Sequence, residues 1–230
     1  MAAICNILKW LGLAILASTY KSLPGAYFLR FYYYVIRDIL IPQISGKQSK
    51  TITQLQKDKF GCFAYTTLST YASLFECDFY LHKSNSTYFE ELDISRTDLM
   101  AKIFQKLFTT SKRYPYVPVA NVFTNFLKEI KPYQPYEVKS CIFCWDEKWI
   151  YVMSRFYIEK GSRLASLSLT KYVLKDGRKT ITPRDALEIC GLYNKDVEKI
   201  SQENYKILSE QCGFQETRPL ENIKHEYSSI

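Results

Sequence analysis

Tyr71, Ser73, Phe75 and Cys77 alternate with Ala72, Leu74, Glu76 and Asp78, a period of two that predicts a strand. The period then lengthens. Past the polar loop Asp78-Phe79-Tyr80-Leu81-His82-Lys83-Ser84-Asn85, the residues Tyr88, Leu92, Leu99, Ile103 and Leu107 recur at helical spacing, with Phe89, Met100 and Phe104 beside them. This predicts one helix of about 22 residues, roughly 33 Å long, lying against a sheet. Downstream the period of two returns. Residues 119–130 read as a strand ended by Pro132 and Pro135. Residues 137–145 and 149–159 read as a hairpin about Asp146-Glu147-Lys148. Residues 163–175 and 178–182 add sheet on either side of the turn Asp176-Gly177. A strand, a long helix and a run of antiparallel strands is an α+β order, one helix against one sheet.

The flanks have a different texture. Residues 4–20 are apolar apart from Asn6, Lys9, Ser18 and Thr19, and a second apolar, aromatic stretch over 23–41 is interrupted by Arg30, Arg37 and Asp38. A full membrane span needs about 20 apolar residues, so the first stretch is marginal. It reads foremost as a membrane anchor; a cleaved signal peptide, a basic presequence and a buried helix of the fold are the other readings. The expected organisation is an apolar N-terminal segment over 1–43, a polar basic linker over 44–59 leading to a strand at Phe60, the main domain over 60–186, and a C-terminal helix with a polar tail over 187–230. In that last region Val197, Ile200, Tyr205 and Leu208 fall on one side of a helix over 194–212, Gly213 can stop it, and 215–230 reads as a loose tail.

Charge and cysteines narrow the partners. A net charge of +8 invites polyanions: nucleic acid, anionic lipid or the phosphates of coenzyme A. Seven scattered cysteines suit a reducing compartment better than a disulfide framework. Cys141 and Cys144, three apart on a predicted strand, should point to opposite faces, and only His82 and His225 offer imidazoles, so no metal site is expected. The cations Lys21, Arg30, Arg37, Lys47 and Lys50 follow the first apolar stretch and keep the main domain in the cytosol if that stretch is an anchor. Asn85-Ser86-Thr87 is a glycosylation sequon inside the loop, which argues against a lumenal position. An endoplasmic reticulum membrane is favoured over a mitochondrial one.

The loop is the candidate site. Thioester hydrolysis needs an activated water or a carboxylate nucleophile, plus donors for the oxyanion. A carboxylate at a strand end, facing a helix start whose amides near Ser84–Thr87 are unpaired, meets both needs. Asp78 could equally end a strand and Asn85 could equally cap the helix, while Glu90, Glu91 and Asp93 read as a solvated face near the helix start. The cations Arg163, Lys171, Lys175, Arg178 and Lys179 are candidates for the phosphates of coenzyme A, or simply a solvated edge.

The pattern Asp78-x3-His82-x2-Asn85 with Tyr88 beyond it, the stretch Lys131-Pro132-Tyr133-Gln134-Pro135-Tyr136-Glu137-Val138 and Trp145-Asp146-Glu147-Lys148-Trp149 resemble hotdog-fold thioesterases of the 4-hydroxybenzoyl-CoA thioesterase type. Within that type they resemble the thioesterase superfamily member 6 group, a membrane-anchored branch. The likeness extends from the N-terminal apolar stretch to about Ala186; Ser84 stands where the family loop has the first Asn of a pair. It implies a hotdog fold, a long helix wrapped by an antiparallel sheet. It further implies an acyl-CoA thioesterase in which Asp78 is the catalytic carboxylate, Asn85 orients water or carbonyl, His82 positions the loop or moves a proton, and Ser84 lies in the loop. Glu90 or Glu91 is the backup carboxylate, coenzyme A enters only as part of the substrate, and a homodimer with an acyl tunnel near its interface is expected. A non-catalytic acyl-CoA or lipid binder on the same fold is the alternative, and an enoyl-CoA hydratase a weaker one. An RNA-bound role is disfavoured, because basic residues are interleaved with acids and no RNA-binding motif is present.

Overall fold

The computed structural model describes residues 2–46, 50–111 and 113–211. The chain opens with helix α1 (Ala2–Ser18) and α2 (Ala26–Val35), which continues through a π-helical turn (Ile36–Leu40) into α3 (Ile41–Ser45). Helix α4 (Lys50–Lys57) precedes strand β1 (Thr66–Tyr71), followed by the central helix α5 (Thr87–Ile103) and the short α6 (Gln105–Thr110). Strands β2 (Val119–Phe126), β3 (Pro135–Trp145), β4 (Trp149–Ile158), β5 (Arg163–Asp176) and β6 (Lys179–Ile181) come next, then α7 (Pro183–Cys190) and α8 (Lys195–Gln211). The strands form one antiparallel sheet in the order β1-β3-β4-β5-β2, with β6 folded back on the end of β5.

The sheet wraps the central helix, which gives the hotdog arrangement. In β3 the inward residues Tyr136, Val138, Ser140 and Ile142 are buried, and Glu137, Lys139, Cys141 and Phe143 between them are only partly covered. Such alternation follows from the pleat. Ser95 of α5 meets Ser140 at 2.8 Å, and Ser140 meets Ser154 of β4 at 2.7 Å, so the helix is tied to the sheet by buried hydroxyls. The hairpin turn between β3 and β4 rests on Asp146, whose Oδ1 accepts the amides of Lys148 (2.8 Å) and Trp149 (2.7 Å). Helix α7 has Pro183 in its first turn and Thr182 as N-cap, and ends on Gly191 at φ 70°.

The N-terminal region departs most from expectation. Helix α2 lies along α5 on the side away from the sheet. Arg30 reaches Glu91 with two bonds (2.9 and 2.7 Å), and Arg37 reaches Asp98 at 2.5 Å and Asp38 at 2.6 Å. The second apolar stretch, placed inside the expected N-terminal anchor segment over 1–43, is instead a helix of the fold. Glu91, expected on a solvated face, is 0% exposed because α2 covers it. Helix α1, by contrast, leaves Ile4, Ile7, Leu8, Trp10, Leu11, Leu13, Ile15 and Leu16 exposed. No helix among the described residues is long and apolar enough to cross a membrane.

Other boundaries moved as well. The predicted strand over 71–77 is one turn of 3-10 helix, Leu74–Glu76, behind a strand that ends at Tyr71. The predicted long helix breaks at Phe104, whose backbone leaves helical geometry at φ −100° and ψ 19°. The expected linker contains α4, anchored by buried Ile52, and residues 61–63 form a 3-10 turn where a strand was expected to start. A register shift between Ile142 and Cys144 turns Cys144 outward against Tyr151, Leu169 and Leu208, the cluster that Met153, the register partner of Cys141, also packs on. The two thiols therefore share a face, contrary to simple alternation. That outer face is covered by α8 through Ser201, which accepts the Trp145 amide at 2.9 Å, and Asn204, which donates to Phe143 O at 2.8 Å. Gly213, His225 and the tail over 215–230 lie outside the described residues.

Candidate active site

Residues 76–87 form a small closed loop that delivers the chain into α5. The Ser84 amide donates to Glu76 O at 2.8 Å, Cys77 and Lys83 pair across the loop, and the Asp78 amide donates to His82 O at 3.0 Å. Leu81 turns the tip at φ 57°, a left-handed conformation uncommon for a residue with a branched side chain. The Thr87 hydroxyl then ties the first residue of α5 back to Glu76 O (3.1 Å) and Ser84 O (2.8 Å).

Asp78 and His82 face one another, Oδ1 to Nδ1 at 3.5 Å, with side chains 32% and 28% exposed. Asp78 Oδ1 also accepts the Tyr80 amide at 3.0 Å, and His82 stacks on the Tyr80 ring. Asn85 is exposed and sits just before Ser86, the N-cap residue, which makes no side-chain capping bond; Ser84 Oγ is 3.1 Å from Ser86 Oγ. The structure thus gathers Asp78, His82, Ser84 and Asn85 at one helix entrance. Glu90 is exposed, whereas Glu91 is spent on Arg30 and Lys21.

Beneath this loop lies a buried charge cluster that sequence reasoning missed. Lys21 Nζ is 2.9 Å from Glu91 and 3.0 Å from Glu76, and Lys83 Nζ is 3.5 Å from Glu76. Glu76 also accepts the Ser73 amide at 2.8 Å, closing a capping box; Ser73-Leu74-Phe75-Glu76 has the S-x-x-E spacing that could have revealed it. Lys83 projects over the rings of Tyr88 and Tyr136 (5.4 and 5.5 Å). Burial pushes the Lys83 ammonium below its ordinary value, and the carboxylates of Glu76 and Glu91 offset part of that. Burial raises the Glu91 carboxyl, but hydrogen bonds from Arg30 and the charges of Lys21, Arg30 and Lys83 outweigh it and bring the group down to about 2. The cluster is a strut that fixes the loop to α5 and to the N-terminal helices.

The five cations considered for phosphate binding do not converge. Twelve positions of β5 separate Arg163 from Lys175, roughly 40 Å at about 3.3 Å per residue. Lys175 donates to Thr180 at 2.7 Å, Lys171 sits over Trp149, and Arg163 pairs with Glu159 at 3.1 Å. Only Arg163 lies at the loop's end of the sheet, where it lines a cavity of about 610 Å³ with Lys128, Lys131 and Gln134. The segment 127–134 that forms one side of it is tied to the loop by Lys83 N to Ile130 O (2.7 Å) and to the end of β1 by Ala72 N to Gln134 O (3.1 Å). Among the described residues no cluster of His, Cys, Asp and Glu is arranged to hold a metal ion.

This architecture has relatives. Residues 73–189 match the profile of the thioesterase-like superfamily. A probable thioesterase of Saccharomyces cerevisiae is 68% identical over 98% of both chains. Thioesterase poxG of Penicillium oxalicum is 33% identical over 83% of this chain and 73% of its own. Among solved structures, a probable thioesterase of Escherichia coli aligns with a TM-score of 0.47 at 16% identity, covering 60% of this chain and 98% of its own. The profile match over the loop, the central helix and the sheet, together with relatives alike along nearly the whole chain, establishes that the chain belongs to the thioesterase-like superfamily.

Proposed function

We propose that this thioester hydrolase cleaves acyl-CoA to a fatty acid and coenzyme A at the Asp78 loop. The observation that carries the reading is the half-buried Asp78 carboxylate, held by the Tyr80 amide and by His82, at the entrance to α5. In the reaction a water oxygen bonds to the acyl carbon and its proton passes to Asp78. The carbon–sulfur bond then breaks, and the thiolate of coenzyme A leaves and takes up the proton. The Ser84, Thr87 and Phe89 amides, expected to be free, are bonded to Glu76 O, Ser84 O and Ser86 O, so the oxyanion is stabilised by the other amides at the entrance to α5, while Asn85 orients the water and His82 holds Asp78. Lys128 and Lys131, with Arg163 once it is released from Glu159, receive the phosphates of coenzyme A in a cavity that Glu129 and Glu159 also line.

Two finer features belong to this proposal. Strand β2 has one unpaired edge and exposes Val119, Phe123 and Phe126, which supports a homodimer joined along it. Helix α1 exposes apolar residues around most of its circumference, broken by Asn6 and Lys9, and such a surface suits lipid better than a one-sided protein groove. The domain therefore sits at a membrane, on the cytosolic side, since a glycan on exposed Asn85 would block the loop.

The purified full chain in detergent, given palmitoyl-CoA, should release free thiol catalytically. Tight binding of palmitoyl-CoA without turnover would instead indicate a binding protein.

A further inference from the structure

Helix α2 has a second role besides supplying Arg30 and Arg37 to the central helix. Tyr27, Phe31, Val35 and Ile39, spaced by four residues, form one wall of a cavity of about 480 Å³, within the range of about 300–1,000 Å³ usual for small-molecule sites. The facing wall is the α5 stripe Asp93, Arg96, Thr97, Met100 and Ala101, at the spacing of one helical face. The two helices run in the same direction, because Arg30 pairs with Glu91 and Arg37 with Asp98. Those ion pairs fix their separation beside the cavity.

Polarity changes along the cavity axis. At the end nearer the start of α5 stand Tyr27, Asp93 and Arg96; Arg96 is buried, with Nη2 2.6 Å from Asp93 Oδ1. Arg96 also donates to Leu92 O at 2.9 Å and to the Thr170 hydroxyl, so the pair is neutral overall and already hydrogen-bonded. Toward the other end the walls are hydrocarbon: Val35, Ile39, Met100 and Phe108. A neutral polar end and a long apolar end suit an uncharged acyl group better than an anion.

Resting on the acyl-thioester reading, we propose that α2 walls the hydrocarbon-chain site, with the chain lying between α2 and α5 and Val35 setting how long a chain is accepted. The α2 wall lies outside residues 73–189, while the facing α5 wall and the sheet residues Val119 and Tyr172 that close the cavity lie within them, so the N-terminal segment adds a wall of its own to chain preference.

The test uses the full chain in detergent, with Val35→Trp and Val35→Ala. Val35→Trp should lower the ratio of palmitoyl-CoA to butanoyl-CoA turnover by at least about tenfold, and Val35→Ala should raise the ratio of stearoyl-CoA to palmitoyl-CoA turnover. A parallel measurement displaces methyl cis-parinarate with methyl palmitate, both uncharged, and needs no catalysis; wild type should bind, and Val35→Trp should bind at least about tenfold more weakly. Turnover with both ratios unchanged overturns the chain site and leaves the hydrolase intact. Binding that depends on Val35 without any turnover does the reverse. If Val35→Trp does not fold, an unchanged ratio in Val35→Ala is sufficient to reject the site.

Discussion

At the residue scale, the Asp78 loop rests on charges drawn from distant parts of the chain. Asp78, His82 and Asn85 stand out because polar groups cluster where a helix begins. Lys21 read as a cation flanking an anchor and Arg30 as an interruption of an apolar stretch, since their partner Glu91 lies 70 and 61 positions away. Their burial has a measurable consequence. The folded-state value of Glu91 is depressed from 4.5 to about 2, so its contribution is fully present above the unfolded value and is lost as pH falls from about 4.5 toward 2. Glu91→Gln leaves two cations short of a partner and should cost about 3–5 kcal/mol. Urea unfolding at stepped pH should show this loss at neutral pH and a flatter acid limb in the variant. Superimposable acid limbs would remove Glu91 from that role.

At the element scale, what a short window encodes was readable. The β3–β4 hairpin follows from Asp146, whose carboxylate closes the turn locally, and α8 follows from its apolar spacing. The break at Phe104 has no glycine or proline to announce it, and the bulge in β3 is visible only against β4. The division of the N-terminal region into α1, which packs little, and α2, which is part of the core assembly, depends on long-range partners. Deleting residues 2–16 retains Ser18, whose carbonyl accepts the Tyr71 hydroxyl at 2.6 Å, and should leave the unfolding temperature within a few degrees of wild type. The same deletion should abolish sedimentation with phosphatidylcholine vesicles; undiminished sedimentation would place the lipid contact elsewhere.

At the scale of the whole molecule, a net charge of +8 conceals two arrangements. Some cations are strung along β5, while Lys21 and Lys83 are buried, and Arg30 partly buried, with Glu76 and Glu91 beneath the loop. The loop, the Lys128–Arg163 cavity and the start of α5 lie at one end of the sheet, and the cavity between α2 and α5 begins further along α5, at Asp93. Hydrolysis at the loop depends on the Asp78 carboxylate. Steady-state thiol release by Asp78→Asn against wild type, at matched unfolding temperature, is the direct measurement. A drop in kcat of about a hundredfold or more is predicted; a folded Asp78→Asn that turns over as fast as wild type would contradict it.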